Sequence, residues 1–359
     1  MRIQKARRLL KDKGLDAVFI ALSANICYLS GFTGRDSYFY LSAGKKVILT
    51  DSRYTLQAEE EGKGCQVRTI SNDRGYGALL KELLKEDRVK QLGFEDGIMT
   101  WQMVQKLQDE TGSREDKISW IPLEESLSLL RAIKDEGELE KLSRAEQIGD
   151  ETFSYILTQI KPGVTELEIA AKLEYFMKSH GAQEKSFDTI VASGYHSAMP
   201  HAVPSEKILE KGDFITLDFG CKYQGYCSDM TRTVVLGKAS EKQKEVYQIV
   251  LEAQKTALAS LRAGMTGAEG DKLAREVIEK AGYGEYFGHG LGHSVGLEIH
   301  ENPRLSKKDE TILKPCMIET VEPGIYIPDF GGVRIEDMVI ITEDGIKNLT
   351  NSPKELIEL

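Results

Sequence analysis

The sequence lacks the features of membrane and nucleic-acid proteins. No apolar run approaches the ~20 residues that cross a bilayer, and residues 1–14 lack the apolar core of a signal peptide. Basic residues are in deficit, with 47 Lys+Arg against 57 Asp+Glu and a net charge of −10. Nucleic-acid binding needs the opposite balance. We therefore expect no secretion, no membrane insertion and no nucleic-acid partner.

Cysteine and histidine are also sparse. The five cysteines are odd in number and form no CxxC pair, which excludes a simple disulfide framework and favours a reduced, cytoplasmic protein. The first 179 residues contain no histidine, and all six lie between His180 and His300. Any histidine chemistry is therefore confined to the later part of the chain.

The length of 359 residues predicts about two domains. Residues 1–130 alternate between strand and helix patterns, and the strands are expected near 17–21, 37–42, 46–50, 65–70 and 91–94. This alternation predicts a three-layer α/β domain, and it contains no phosphate-binding glycine loop. A charged segment at 130–135 marks the expected boundary, which gives domains 1–130 and 131–359.

The second domain contains an internal repeat. Residues 161–168 and 262–269 share the pattern basic-x-Gly-x-Thr-x-x-Glu, and each segment follows a long helical pattern. In both, the Thr and Glu form a capping box that starts a helix. A His-x-x-Pro element then recurs at His201 and His300. These matches predict two similar half-domains around a pseudo-two-fold axis.

Each half carries a pair of carboxylates on neighbouring strands. Asp218 and Asp229 belong to the first half, and Glu322 and Glu336 to the second. A carboxylate in an apolar strand is costly unless it is paired, hydrogen-bonded or bound to a metal. For the first pair alone, a half-solvated hairpin remains the alternative to metal binding.

Histidines in the second half strengthen the metal interpretation. His289, His293 and His300 fall within twelve residues of a glycine-rich segment. Oxygen ligands with one imidazole suit Mn²⁺ or Co²⁺ better than a structural, thiolate-bound Zn²⁺. Two such ions ~3.5–4 Å apart could activate a water and polarise a carbonyl.

The motifs around these residues resemble those of a known family. Asp218-Phe-Gly, Ser228-Asp229-Met-Thr-Arg-Thr, His289-Gly-Leu-Gly-His293, Val321-Glu322-Pro-Gly and Arg334-Ile-Glu336 are similar to those of the pita-bread metallopeptidases, which include methionine aminopeptidase, aminopeptidase P and prolidase. The resemblance implies an α+β pita-bread catalytic domain with a pseudo-two-fold repeat. Segments 28–34 and 50–54 resemble the creatinase/prolidase N-terminal domain, which is of the α/β class.

The same resemblance implies the site residues. Two divalent metal ions, Mn²⁺ or Co²⁺ with Zn²⁺ as an alternative, would be held by Asp218, Asp229, His293, Glu322 and Glu336. The residues expected to act on the substrate are His201, His289, His300, Glu322, Tyr326 and Arg334.

The implied reaction is hydrolysis of the bond between an N-terminal residue and proline, as in Xaa-Pro aminopeptidases. An Xaa-Pro dipeptidase is the main alternative, and a creatinase-type C–N hydrolase and a non-catalytic peptide-binding scaffold are remote ones. Scaffold relatives lose metal ligands, whereas all five are present here. Proline-containing peptides are the expected partners, together with a second copy of the chain in a homodimer.

Other ionisable residues near the motifs have weaker claims. Strand alternation turns Glu319 away from Glu322, and Asp337 away from Glu336, so neither is expected to be a ligand. His196 could lie either on a surface loop or at the pocket rim. We expect a structural role for His180 and simple packing for the thiols of Cys221 and Cys227.

Overall fold

The computed structural model describes residues 1–62 and 64–359, which form two compact units, Met1–Arg131 and Ala132–Leu359. The helices of the first unit are α1 (Arg2–Asp12), α2 (Ser23–Ser30), α3 (Thr55–Glu61), α4 (Tyr76–Glu86) and α5 (Trp101–Thr111). Its strands are β1 (Ala17–Ile20), β2 (Tyr38–Ser42), β3 (Lys46–Thr50), β4 (Gln66–Thr69), β5 (Gln91–Phe94) and β6 (Ser119–Pro122).

The first unit is built on one mixed sheet with the strand order β4-β3-β2-β1-β5-β6. In β1, Ala17 and Phe19 belong to an apolar cluster with leucines of α4, whereas Val18 and Ile20 are buried on the other face. A strand buried on both faces needs helices on both sides of the sheet. The α/β prediction is confirmed, although α2, α3 and β6 were not predicted from the sequence.

The second unit repeats one series of elements. Its helices are α6 (Glu136–Leu157), α7 (Glu166–Ser179), α8 (Glu241–Ser260) and α9 (Gly267–Lys280). The strands of the first half are β7 (Glu184–Lys185), β8 (Ile190–Ser193), β9 (Phe214–Phe219), β10 (Cys221–Tyr223), β11 (Tyr226–Cys227) and β12 (Met230–Val235). Those of the second half are β13 (Gly292–Ser294), β14 (Glu301–Leu305), β15 (Ile318–Val321), β16 (Gly324–Ile327), β17 (Gly331–Arg334), β18 (Asp337–Ile341) and β19 (Ile346–Asn348).

The two halves match in detail. Thr165 and Thr266 cap α7 and α9 with the predicted capping boxes, and each Thr forms a β-bridge to an isoleucine, Ile208 or Ile312. In each half two helices pack on an antiparallel strand pair, β9–β12 or β15–β18. The predicted pseudo-two-fold repeat is therefore confirmed.

Main-chain and side-chain bonds join the halves at the end of β17. The amide of Glu336 donates to the carbonyl of Thr231 at 3.1 Å, and the hydroxyl of Thr233 donates to the carbonyl of Arg334 at 3.0 Å. The joint brings the acidic ends of both strand pairs to one place. No described helix has the length and apolar character to span a membrane.

Candidate metal centre

A cavity of about 910 Å³ opens where the two halves meet. All four carboxylates of the repeat line it. Its wall includes Asp218, Asp229, Glu322, Glu336, His201, His289, His293, His300, Arg304 and Arg334. Tyr326 is not among the described lining residues, although it contacts two of them.

Three of these side chains form a cluster of metal-ligand geometry. Ligand atoms of Asp229, His293 and Glu336 all lie within 4.8 Å of one another. The Nε2 atom of His293 is 3.5 Å from Oδ2 of Asp229 and 3.5 Å from Oε1 of Glu322. One imidazole and several carboxylates therefore face a common point.

A glycine allows His293 to reach this point. A Cβ atom on Gly292 would lie 2.0 Å from the carbonyl oxygen of Thr320, so a side chain there would push the strands apart. The hydroxyl of Thr320 accepts from the His293 amide at 3.0 Å and donates to Glu322 at 3.1 Å. These contacts fix the positions of His293 and Glu322, which belong to two neighbouring segments.

Burial and mutual repulsion disturb the ionisation of the carboxylates. Burial raises the pKa of Asp229 well above its usual range, and the charges of Glu336 and Asp218 raise it further. The pKa of Glu336 is likewise raised by burial and then by Glu322 and Asp218. Burial also raises the pKa of Glu322, to about 7. Such crowding destabilises the ionised forms unless a cation is present.

Two further observations fit a divalent cation. Oδ1 of Asp218 is buried and accepts no hydrogen bond from any described residue, although its Oδ2 is bonded at 2.6 Å by Arg334. Burial, followed by the charge of His300, lowers the pKa of His293 to about 3, so its ring is neutral. Because its Nδ1 lies 3.2 Å from the Ser294 carbonyl, Nδ1 carries the proton. The lone pair of Nε2 then faces the same point as the carboxylate oxygens of Asp229 and Glu322, and none of these acceptors can donate to another. The donor set thus fits a cation.

Arg334, Tyr326 and His289 form a hydrogen-bonded chain along the cavity. The guanidinium of Arg334 donates to Asp218, Thr231 and the hydroxyl of Tyr326, at 2.6, 3.0 and 2.8 Å. The Tyr326 hydroxyl is 2.9 Å from Nε2 of His289, whose Nδ1 lies 2.7 Å from the Gly290 carbonyl. Both ring nitrogens of His289 are therefore occupied by the protein.

His201 and His300 differ from His289. Both rings line the cavity and are exposed, and neither makes a ring hydrogen bond within the described residues. The ring of His300 packs edge-on against His293, with centroids 4.5 Å apart. These two imidazoles are available to a bound molecule.

Neighbouring ionisable residues point elsewhere. Asp337 accepts at 2.8 Å from the buried guanidinium of Arg232. The same guanidinium donates to the main-chain carbonyl of Glu336 at 2.5 Å and so helps to fix the backbone of that residue. Glu319 is fully buried outside the cavity lining, and its two carboxyl oxygens have no partner in the described part of the chain. The Cys221 thiol is buried, which raises its pKa to about 12.

Arg304 was not among the residues predicted from the sequence to act at the site. This residue is exposed, lines the cavity beside the histidines, and its guanidinium has no ion-pair partner among residues 1–62 and 64–359. The signal was present in the sequence, since Arg304 follows the His300-x-x-Pro element directly. A basic residue there becomes notable only when the cavity is seen.

Comparison with known proteins identifies the family. Residues 140–343 match the model of metallopeptidase family M24, and residues 2–133 match that of the creatinase/prolidase N-terminal domain. The chain belongs to metallopeptidase family M24. This membership implies divalent metal ions and confirms the predicted metallopeptidase class and pita-bread fold.

Several M24 relatives cover the full chain. The Xaa-Pro dipeptidase of Pyrococcus furiosus is 43% identical over 358 residues, which is 99% of each chain. Among solved structures, the Xaa-Pro dipeptidase from Bacillus anthracis has a TM-score of 0.96 and 43% identity, covering 100% of this chain and 99% of that one. The X-Pro aminopeptidase from Thermotoga maritima has a TM-score of 0.91 and 39% identity, with full coverage of both chains.

Proposed function

We propose that this M24 peptidase hydrolyses the bond between an N-terminal residue and proline. The single observation that carries the proposal is the meeting of four carboxylates, one neutral imidazole and two unbonded histidines in one cavity. The relatives named as Xaa-Pro dipeptidases and X-Pro aminopeptidase share the whole chain with it, which supports proline-containing peptides as substrates.

The proposed ligands are one histidine and the four carboxylates of the repeat, all of which line the cavity. They are Asp218, Asp229, His293, Glu322 and Glu336, and the proposed cations are two Mn²⁺ or Co²⁺ ions, with Zn²⁺ as an alternative. Bound there, divalent ions supply Lewis acidity, which polarises the scissile carbonyl and lowers the pKa of water.

The chain's own residues orient the substrate and move the proton. His201 and His300 bind the scissile carbonyl through their unbonded ring nitrogens and stabilise the negative charge that develops on its oxygen. Glu322, whose Oε1 faces the same point as His293, accepts a proton from the attacking water and returns it to the leaving proline nitrogen. Arg334 holds Asp218 in place through a direct hydrogen bond, and Tyr326, which accepts from Arg334, holds His289.

One observation favours the dipeptidase form of this activity over the aminopeptidase form predicted from the sequence. In a dipeptide the proline carries a free carboxylate, and a site that binds it needs a cation. Arg304 supplies an exposed guanidinium in the cavity wall, and a guanidinium suits bidentate binding of a carboxylate. A longer peptide lacks the charge at this position.

Comparing Xaa-Pro with Xaa-Pro-Xaa substrates tests both forms. If Arg304 binds the dipeptide carboxylate, Arg304→Met raises KM for Xaa-Pro by at least ~10-fold, the loss of about one charge-assisted hydrogen bond. Hydrolysis of Xaa-Pro-Xaa should change little, and Arg262→Met, outside the cavity lining, is the matched control. Faster wild-type cleavage of Xaa-Pro-Xaa, with no KM change in Arg304→Met, would favour the aminopeptidase form. Hydrolysis of neither substrate by the metal-loaded wild type would refute the proposal.

We also propose a cytoplasmic homodimer with functional domains at 1–130 and 131–359. Five free thiols support a reducing location. The division into compact units at Arg131 supports the boundary, and sedimentation velocity measures the oligomeric state.

A further inference from the structure

His201 lies on a segment that one buried carboxylate holds at both ends. The segment, Ser193–Ser205, begins at the last residue of β8 and includes a short 3-10 helix at Gly194–Ala198. Because the ring of His201 is exposed and unbonded within the described chain, its own contacts do not fix its position. The anchors of the segment must do so.

The main anchor is Glu166, the first residue of α7, which is completely buried. Its Oε1 accepts from the amide and hydroxyl of Ser193 at 2.7 and 2.8 Å. Its Oε2 accepts from the amide and hydroxyl of Ser205 at 3.1 and 2.7 Å. One carboxylate thus ties together two points that are twelve positions apart in the chain.

His196 completes this set of donors from within the segment. Its Nδ1 lies 3.2 Å from each oxygen of Glu166, and a ring nitrogen that faces a carboxylate carries a proton and donates. His196 does not line the cavity. The sequence left His196 between a surface loop and the pocket rim, and the structure places its ring against Glu166.

A second anchor holds the segment from the opposite side. The hydroxyl of Ser197 accepts from the amide of Gly332 at 2.9 Å and donates to the carbonyl of Gly194. Gly332 belongs to β17, the strand that ends at Arg334. The adjacent residues His196 and Ser197 thus connect the segment to α7 and to β17.

We infer that His196 is a positioning residue for His201, acting through the carboxylate of Glu166. Removing the Nδ1 donor leaves Glu166 bonded only to Ser193 and Ser205, so the turn between them loses its contact with α7 and keeps only the Ser197 anchor. Small misplacements of a catalytic group lower turnover more than they lower ground-state binding. The inference rests on the proposed function, since it takes His201 to contact the scissile carbonyl.

Substitutions at His196 test this in the full-length, metal-loaded protein. We expect His196→Leu to lower kcat on an Xaa-Pro substrate about tenfold, with KM and metal content within twofold of wild type. His196→Asn places an amide nitrogen near the site of Nδ1 and should restore kcat to within twofold. His180→Asn, at the exposed end of α7, is the control and should match wild type. An unchanged kcat in His196→Leu, or an equal loss in His196→Asn, contradicts the inference.

A double-mutant cycle separates positioning from general loosening. In a His201→Ala background, His196→Leu should lower kcat no further, because the residue through which it acts is gone. A further tenfold loss in the double variant would overturn the inference. Inactivity of wild type on all Xaa-Pro substrates would instead count against the proposed function, so the two failures are distinguishable.

Discussion

The two halves of the second unit share a backbone plan but differ in chemistry. Each places one carboxylate at the end of its first central strand, Asp218 or Glu322, and one just before the second strand, Asp229 or Glu336. Only the second half adds a buried imidazole, His293, because β8 in the first half carries no histidine. The repeat therefore sets the positions at which metal-ligating residues can lie, and the local sequence sets which residue type occupies each position.

The halves also hold their histidine segments by different means. In the first half, Glu166 at the start of α7 binds the segment that carries His201. The corresponding first residue of α9 is Gly267. A Cβ atom at this position would lie 2.1 Å from the carbonyl oxygen of Arg304, so the backbone leaves no room for a side chain. There a loop carboxylate, Asp309, accepts from the amides at 304 and 311 instead. Equivalent backbone segments are thus stabilised by a helix carboxylate in the first half and by a loop carboxylate in the second.

The largest expected effect tests whether the two halves contribute equally to metal binding. Asp229→Asn and Glu336→Gln should each lose bound metal and lower activity at least ~10³-fold, equivalent to about 4 kcal/mol. A chelator should abolish wild-type activity, and Mn²⁺ or Co²⁺ should restore it. Elemental analysis and turnover measure these outcomes, with Glu319→Gln as a control that keeps its metal. Full metal content in either ligand variant would show that its half does not bind metal.

Histidine substitutions should separate metal binding from substrate binding. His293→Ala should lower metal content, because its neutral Nε2 faces two carboxylates. His201→Ala and His300→Ala should keep their metal and lower kcat by ~10²–10³, the usual loss for an oxyanion contact. Metal content measured beside kcat distinguishes the two classes. Unchanged kcat in both of the last variants would remove them from the mechanism.

A buried acid on the second half provides a pH test. Burial raises the pKa of Glu319 well above its ordinary value, so the folded state binds a proton that the unfolded state releases. Its contribution to stability is therefore full below the unfolded pKa and is lost as pH rises toward the folded pKa. Glu319→Gln should be more stable than wild type at pH 8, by at least about 1 kcal/mol in the free energy of unfolding, and this gain should shrink near pH 4. Thermal unfolding at the two pH values measures it. A gain independent of pH would show that Glu319 is ionised in the fold.

The smallest effect compares the two capping boxes. Thr165→Ala and Thr266→Ala should each destabilise the second unit by about 1 kcal/mol, since both threonines accept from the third helical amide at 3.2 and 3.1 Å. Thermal unfolding measures both, and the serine variants should retain most of the stability. A much larger loss for Thr165→Ala would indicate that its cap also supports the neighbouring Glu166.

Much of the fold could be predicted because its signals are local. In β9, Ile215 and Leu217 lie in the core and Asp218 lines the cavity on the opposite face, which is the alternation that any half-buried strand requires. The short helices α2 and α3 were missed, since tertiary packing stabilises them more than their own periodicity does. The ligand assignment itself remains a prediction, although the structure brings all five residues to one cavity.

The sequence by itself determined the repeat, the capping boxes and the acidic strand pairs, because these depend on spacing and on residue type. Only the tertiary structure decided which polar groups meet. It joined Glu166 to His196 across 30 positions and engaged both ring nitrogens of His289 while leaving His201 and His300 unbonded. It also exposed Arg304 in the cavity. Spacing along a chain cannot specify such contacts, since they depend on how separate elements pack in three dimensions.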